Sequence, residues 1–163
     1  MQSGMTPRRI LLDANVLVLL LVGVAGKHLI ERHKRTMQYG VDGFDVLMDG
    51  LSRFQEILVT PHVLAEASNL LGEGRRFRPE QFSRIAESLR RMVERQIEKE
   101  AIIDNPLFSK LGVADVSLWE ASADDDVTVL TADAKLYTRL LADGRHVVNF
   151  NHIWYAGWAA SLL

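Results

Sequence analysis

Four acidic residues stand at positions where carboxylates could do chemistry. Asp13 follows the apolar run RILL, and Asp133 follows the similar run VTVLT. Glu66 lies in the segment PHVLAEASNLL, and Asp115 lies in VADVSLWEA. Carboxylate oxygens are the donors that hard divalent cations such as Mg²⁺ and Mn²⁺ prefer. If the fold brings the four acids together, they repel one another unless a positive charge lies between them. The four acids therefore predict a metal site.

Asp13 and Asp133 each stand where a strand ends and a helix begins. In an open parallel sheet, ligands bind outside the carboxyl ends of the strands, so both acids are predicted at one edge of the sheet. Each acid taken alone has another interpretation, because aspartate is also a preferred residue at a helix N-cap.

Glu66 and Asp115 are predicted on helices. Helical spacing puts Glu66 at the rim of an apolar stripe, where a solvated glutamate beside the core is the alternative. Asp115 falls inside a wide apolar arc, whereas Ser117 and Glu120 face outward. A carboxylate directed into a core is costly unless it is paired, hydrogen-bonded or metal-bound. The alternative is that Asp115 is an N-cap, with the box from Ser117 to Glu120 as a second capping signal.

The elements that would position these acids alternate between strands and helices. Strand-like runs occupy residues 9–12, 56–60, 127–131 and 146–150, with a brief strand in AIID at 101–104. Helices are predicted over residues 14–23, 27–38, 41–54, 61–74, 79–100, 113–125 and 132–144. The alternation predicts an α/β fold in three layers, α/β/α, with a central, mostly parallel sheet.

In their order along the chain, these motifs resemble those of the PIN-domain nucleases. ILLDANVL is similar to the first-strand motif of that family, LVTPHVLAE to its second motif and LGVADVSLWEA to its third. VTVLTADAKL followed by HVVNF is similar to the fourth motif and the closing strand. The resemblance implies a single PIN-like nuclease domain over residues 1–163. The segment between Asp13 and Glu66 is longer than in the compact toxin members of the family.

The resemblance also implies a site and an activity. Asn15 and Thr131 match the polar residues that support the acidic site of the family. The implied activity is that of an endoribonuclease, in which one or two Mg²⁺ or Mn²⁺ ions activate a water for in-line attack on the phosphorus of RNA. Because many bacterial members are toxins held by an antitoxin, the expected partners are RNA, an antitoxin protein and a second copy of the chain. The residues implied to be both catalytic and metal-binding are Asp13, Glu66, Asp115 and Asp133.

Two basic segments are candidates for contact with RNA. RHKR occupies residues 32–35, and GRRFR occupies residues 74–78, just after the helix of Glu66. Arginines would contact phosphates, and an aromatic ring among them would stack on a base. Ordinary solvated charge is the alternative for both segments. The residues assigned to RNA contact are Arg75, Arg76, Phe77 and Arg78.

Composition narrows the class of protein. A chain of 163 residues with 48% hydrophobic residues can bury the core of one globular domain. The net charge of −2 argues against coating nucleic acid by bulk electrostatics. The absence of cysteine excludes disulfides, thiolate metal sites and a cysteine nucleophile, so we expect a cytoplasmic protein. The acidic run at residues 124–126 lacks the spacing of a metal-binding loop and is interpreted as a polar turn.

Both ends of the chain need separate interpretation. Arg8 and Arg9 before an apolar stretch imitate a secretory signal, but Asp13 and Asn15 interrupt that stretch. The uninterrupted part is too short to span a bilayer, so no membrane contact is expected. The aromatic tail at 151–163 is interpreted either as a last core helix or as a subunit contact.

Two other functions are open at this point. The first is a catalytically weak PIN-like module that binds RNA or protein; a complete set of four acids argues against it. The second is a phosphoryl-accepting α/β domain with Asp13 as the nucleophile. The motif DANVL lacks the second acid of the haloacid-dehalogenase-like pattern, which argues against this second function.

Overall fold

The computed structural model of the chain describes residues 8–73 and 76–158. The predicted Arg75 contact and the last part of the aromatic tail, 159–163, lie outside these residues. The strands are β1 (Arg9–Leu12), β2 (Glu56–Val59), β3 (Val93–Glu94), β4 (Val127–Thr131) and β5 (Val147–Asn149). The α-helices are α1 (Ala14–Ala25), α2 (Gly40–Leu51), α3 (Pro61–Gly72), α4 (Pro79–Arg90), α5 (Lys99–Ile103), α6 (Phe108–Leu111), α7 (Val113–Ala121), α8 (Ala134–Ala142) and α9 (Phe150–Ala156). A 3₁₀ helix spans Lys27–Arg32.

The five strands form one parallel sheet in the order β3-β2-β1-β4-β5. β1 lies in the middle, with Ile10 opposite Ile57 of β2 and Thr128 of β4. Since parallel strands are joined by right-handed crossovers, the helices between β1 and β3 and those between β3 and β5 cover opposite faces. The predicted α/β class and the parallel sheet flanked by helices are confirmed.

Strand order places the predicted acids at a special point of the sheet. From β1 the chain moves outward to β2 and β3, and it then returns to the other side of β1 to form β4 and β5. The order therefore reverses between β1 and β4, and such a switch point leaves a crevice at the carboxyl ends of the two strands. Asp13 follows β1 and Asp133 follows β4, so both lie at this crevice.

The apolar run after Asp13 forms α1, which packs against α2, α3, α4 and the 3₁₀ helix. Nearly every side chain of α1 is buried, which explains why its sequence is apolar on all faces. Gly23 allows the closest of these contacts, because a Cβ atom at this position would lie 2.1 Å from the ring of Phe44 on α2. α1 therefore holds the end of β1 in the centre of the molecule.

The long helix predicted over residues 79–100 is wrong. α4 ends at Arg90, and Val93 and Glu94 then form β3, with Val93 opposite Leu58 of β2. The apolar spacing continues through this break, but pairing with β2 satisfies backbone groups that a helix would have bonded internally. The strand predicted in AIID is also wrong, because Lys99–Ile103 is helical.

Two smaller predictions also differ from the structure. The segment predicted as a helix over 27–38 is a short 3₁₀ helix followed by turns. α7 ends at Ala121 rather than at residue 125.

The tail packs into the core as far as it is described, since Ile153 is buried and the indole of Trp158 donates a hydrogen bond to the carbonyl of Val46. Within residues 8–73 and 76–158, no helix is long and apolar enough to cross a membrane.

Candidate metal centre

Thr131 links two of the four predicted acids at the switch point. Its hydroxyl donates a hydrogen bond to Asp13 Oδ2 at 2.5 Å and accepts one from the backbone N–H of Asp133 at 3.0 Å. Thr131 is fully buried, and Asp13 is only 5% exposed. The hydroxyl thus fixes the Asp13 carboxylate relative to the turn that carries Asp133.

Both of these acids also cap helices. Asp13 Oδ1 accepts the N–H of Ala14 at 2.6 Å at the start of α1. Asp133 Oδ1 accepts the N–H groups of Lys135 and Leu136 at 2.8 and 2.9 Å at the start of α8. The capping interpretation is confirmed for both residues. It does not compete with metal binding, because a carboxylate has about four lone-pair sites and these caps use only some of them.

Asp115 is the third residue of α7 and is half-buried. The N-cap of α7 is Gly112, so the alternative that Asp115 or the box from Ser117 caps this helix is wrong. The outward orientation predicted for Ser117 is also wrong. Its buried hydroxyl lies 2.8 Å from the hydroxyl of Thr60 and donates to the carbonyl of Ala114. This contact holds α7 against the start of α3.

Glu66 lies on α3 at the rim position that helical spacing predicts. Val63 and Ala67, on either side of it, are fully buried, while Glu66 itself is exposed. Because α3 packs against α7 through the contact of Thr60, Glu66 is brought to the side of the crevice where Asp115 lies.

Two of the four acids, Asp13 and Asp115, are close enough to the others for the pKa of each to be perturbed. Burial and the charges of Asp13, Asp133 and Glu66 raise the pKa of Asp115 from 3.8 to about 7. Burial also raises the pKa of Asp13, against the lowering effect of its hydrogen bonds, and the charges of Glu66 and Asp133 add to the rise. The crevice thus carries excess negative charge, the condition that a bound cation would relieve.

Acids at the opposite edge of the sheet are compensated instead. Arg9 donates to both oxygens of Asp126 at 2.8 and 2.7 Å, and Arg95 donates to Asp124 at 2.8 Å. These arginines lower the pKa of both carboxyls. The interpretation of residues 124–126 as a polar turn is confirmed. Among the described residues, none of the four crevice acids forms an ion pair of this kind.

Two residues near the acids were not singled out from the sequence. Lys135 lies in the first turn of α8, and its positive charge lowers the pKa of Asp115 against the larger effects that raise it. Its position two residues after Asp133 was a signal that could have been used. Tyr39 is buried against Phe150, and the charge of Asp13 contributes to raising its pKa. No local pattern marks Tyr39, because its approach depends on the packing of α9.

The donor set fits a divalent cation in its chemistry. It offers carboxylate oxygens from four different elements, with little positive charge to balance them. In residues 8–73 and 76–158, however, no three His, Cys, Asp or Glu side chains form a group close enough to hold a metal ion. The side chains as placed therefore supply the donors without forming a complete ligand set.

The other predicted site residues that the structure describes are Asn15, Arg76, Phe77 and Arg78. Asn15 is half-buried in the first turn of α1, and no side-chain hydrogen bond of Asn15 is seen within the part of the chain described. Arg76 and Arg78 are exposed beyond the end of α3, and Phe77 packs partly against the core. The described part of the basic loop, 76–78, thus follows the end of the helix that carries Glu66.

Comparisons with family models, with curated proteins and with solved structures gave no match.

Replacing Thr131 tests how far the hydroxyl organises the centre. Thr131→Val keeps the shape but removes both hydrogen bonds, so we expect Mn²⁺ to bind about 10- to 100-fold more weakly, as for other groups that orient a metal ligand. Thr131→Ser keeps the hydroxyl and should bind within about threefold of the unmodified protein. Thermal shift against Mn²⁺ concentration measures both affinities. Equal affinities for the valine and serine variants would contradict this role.

Proposed function

We propose that the protein is a metal-dependent endoribonuclease that hydrolyses phosphodiester bonds of RNA. The observation that carries this proposal is the group of four carboxylates, from four elements, at the switch point of a parallel sheet, where burial and the charges of neighbouring acids raise the pKa of Asp13 and of Asp115. Uncompensated negative charge of this kind destabilises the fold, and a bound cation would offset it. The motif order, which resembles that of PIN-domain nucleases, supports RNA as the substrate.

Each residue of the centre has a definite part in this proposal. Asp13, Glu66, Asp115 and Asp133 would hold Mg²⁺ or Mn²⁺, and the ion would activate water and neutralise charge on the leaving oxygen. Thr131 orients the Asp13 carboxylate. Asp115 is protonated in part near neutral pH, so cation binding releases a proton from its carboxyl group.

The surroundings of the acids favour an anionic substrate. Lys135 contributes a positive charge close to Asp115. Asp13 and Asp133 already accept hydrogen bonds from the first N–H groups of α1 and α8, so these helix ends are not open to phosphate. A phosphodiester drawn to Lys135 would lie beside the carboxylates once a cation offsets their charge.

Cleavage of labelled RNA with Mg²⁺, with Mn²⁺ and with EDTA tests the proposal. The double variant Asp13→Asn/Asp133→Asn, purified in the same way, controls for contaminating ribonuclease. We expect cleavage that needs a divalent cation and is absent from the double variant. Absence of cleavage with every metal and RNA tested, together with intact RNA or protein binding, would favour the binding module instead.

The toxin role, the antitoxin partner and the homodimer depend on the resemblance alone and stay predictions. The longer segment between Asp13 and Glu66 contains the 3₁₀ helix and α2, which pack on α1. This segment is therefore part of the fold in this chain, and it does not weaken the assignment of the four acids.

A further inference from the structure

The described parts of the two basic segments, residues 32–35 and 76–78, are more than forty positions apart but lie together in the structure. Arg32 from the first and Arg76 and Arg78 from the second line one cavity of about 120 Å³. We call this cavity the arginine pocket. Among the residues that the structure describes, no aspartate or glutamate lines it.

The arginines of this pocket differ in their ion pairing from most other arginines that the structure describes. Within residues 8–73 and 76–158, Arg32, Arg76 and Arg78 form no ion pair. By contrast, the neighbouring Arg35 pairs with Glu73 at 2.7 Å. A concentration of unpaired guanidinium groups repels itself and favours an anion between its members.

Two aromatic rings, those of Phe77 and His33, line the pocket. The ring of Phe77 stacks on that of His33, with centroids 6.5 Å apart and planes at 18°. His33 Nδ1 accepts the N–H of Arg35, so Nε2 carries the proton and donates to the carbonyl of Leu71 at 3.1 Å. The guanidinium groups of Arg32, Arg76 and Arg78 supply positive charge to the pocket.

The loop that carries two of the arginines is anchored where α4 begins. The backbone N–H of Arg78 donates to the side-chain oxygen of the buried Gln81 at 2.9 Å. This hydrogen bond anchors the backbone of Arg78 at the start of α4. The cavity has roughly the volume of four water molecules, which suits one phosphate group.

We propose that the arginine pocket binds a backbone phosphate of a single-stranded RNA. The inference deepens the proposed function and rests on it for the choice of RNA as the source of the phosphate. α3 connects the two places, since Leu71, which accepts from His33, follows Glu66 by about 8 Å of helix rise. A strand at the acidic crevice would therefore reach the pocket within a few nucleotides. Because the chain has a net charge of −2, RNA binding needs a local basic site of this kind.

Binding of a fluorescent single-stranded RNA in EDTA tests the pocket without any cleavage. The test variant is Arg32→Gln/Arg76→Gln. Its control is Arg90→Gln/Arg91→Gln, which removes the same charge from two exposed arginines that pair with Glu87. We expect Kd to rise about tenfold for the pocket variant, and the slope of log Kd against log salt to fall by about 0.7, which is the contribution of one phosphate contact on a single strand.

The outcomes separate this inference from the proposed function. Equal Kd values for the two double variants would overturn the inference, even if the protein cleaves RNA. A selective loss of RNA binding by the pocket variant would support it, even if no cleavage is found. Separate titrations with inorganic phosphate and with a polyglutamate peptide test other anions. Selective loss of either one, with RNA binding unchanged, would assign the pocket to that anion and overturn the inference.

Discussion

Asp13→Asn is expected to lower the rate of metal-dependent RNA cleavage at least about 100-fold, a typical loss when a charge-stabilising group is removed from an active site. The substitution keeps nearly the same shape and keeps an oxygen that can accept the N–H of Ala14. It removes the negative charge that a cation needs. It also removes a carboxylate whose pKa burial raises, which offsets the loss of the hydrogen bond from Thr131 to Asp13 Oδ2, so the variant should remain folded.

The matched control for this prediction is Asp125→Asn. Asp125 is exposed in the turn before β4, at the opposite edge of the sheet, and the chemical change is identical. Cleavage is measured under single-turnover conditions, with the melting temperature of each variant as a check on folding. If Asp13→Asn folds and cleaves within about threefold of the control, the centre does not act as proposed.

Asp115→Asn is expected to make the metal-free protein more stable, and more so as the pH rises. In the unfolded chain the Asp115 carboxyl has its ordinary pKa, whereas in the folded protein its pKa is about 7. Between pH 4 and 7 the unfolded state therefore binds fewer protons than the folded state, and stability falls as the pH rises. Asparagine does not ionise, so the variant lacks this loss.

The size of the effect follows from the same pKa. For a fully buried carboxyl, a pKa raised from 3.8 to about 7 would lower the free energy of unfolding by about 4 kcal/mol above pH 7. Because Asp115 is half-buried, solvent screening reduces this loss to about 2 kcal/mol. For a chain of this length, that difference is a rise of about 4–8 °C in melting temperature at pH 8, with almost none at pH 4.

Thermal unfolding in EDTA from pH 4 to 8 measures this prediction. Adding Mn²⁺ at pH 8 should raise the melting temperature of the unmodified protein and should raise that of Asp115→Asn much less. Asp125→Asn is again the control, since an exposed residue should show little change at any pH. A variant that is less stable than the unmodified protein at pH 8 would mean that Asp115 is structurally required.

Local patterns predicted the elements that carry the acids. Asp13 stands between a strand and a helix that are both strongly apolar, so its place at a strand end followed from the sequence. The same holds for Asp133 after β4. The spacing of Val63 and Ala67 also placed Glu66 at the rim of α3, where the structure shows it.

What the sequence did not predict depends on contacts between distant residues. Val93 lies in a segment with helical spacing but pairs with β2, some thirty-five positions earlier. The polar side chain of Ser117 was predicted on the outer face of its helix. It is buried instead, and its hydroxyl forms a hydrogen bond with the hydroxyl of Thr60. The meeting of Arg32 with Arg76 and Arg78 is likewise a property of packing, since neither segment contains a signal for the other.

The burial of α1 has a consequence for which parts of the centre can move. Amide hydrogens of a fully enclosed helix and of the central strand before it exchange with solvent only when the whole domain opens. Asp13, between them, keeps its position for as long as the protein is folded. Glu66 is exposed on α3, so its side chain can change rotamer toward an incoming ion while Asp13 stays as the fixed point of the centre.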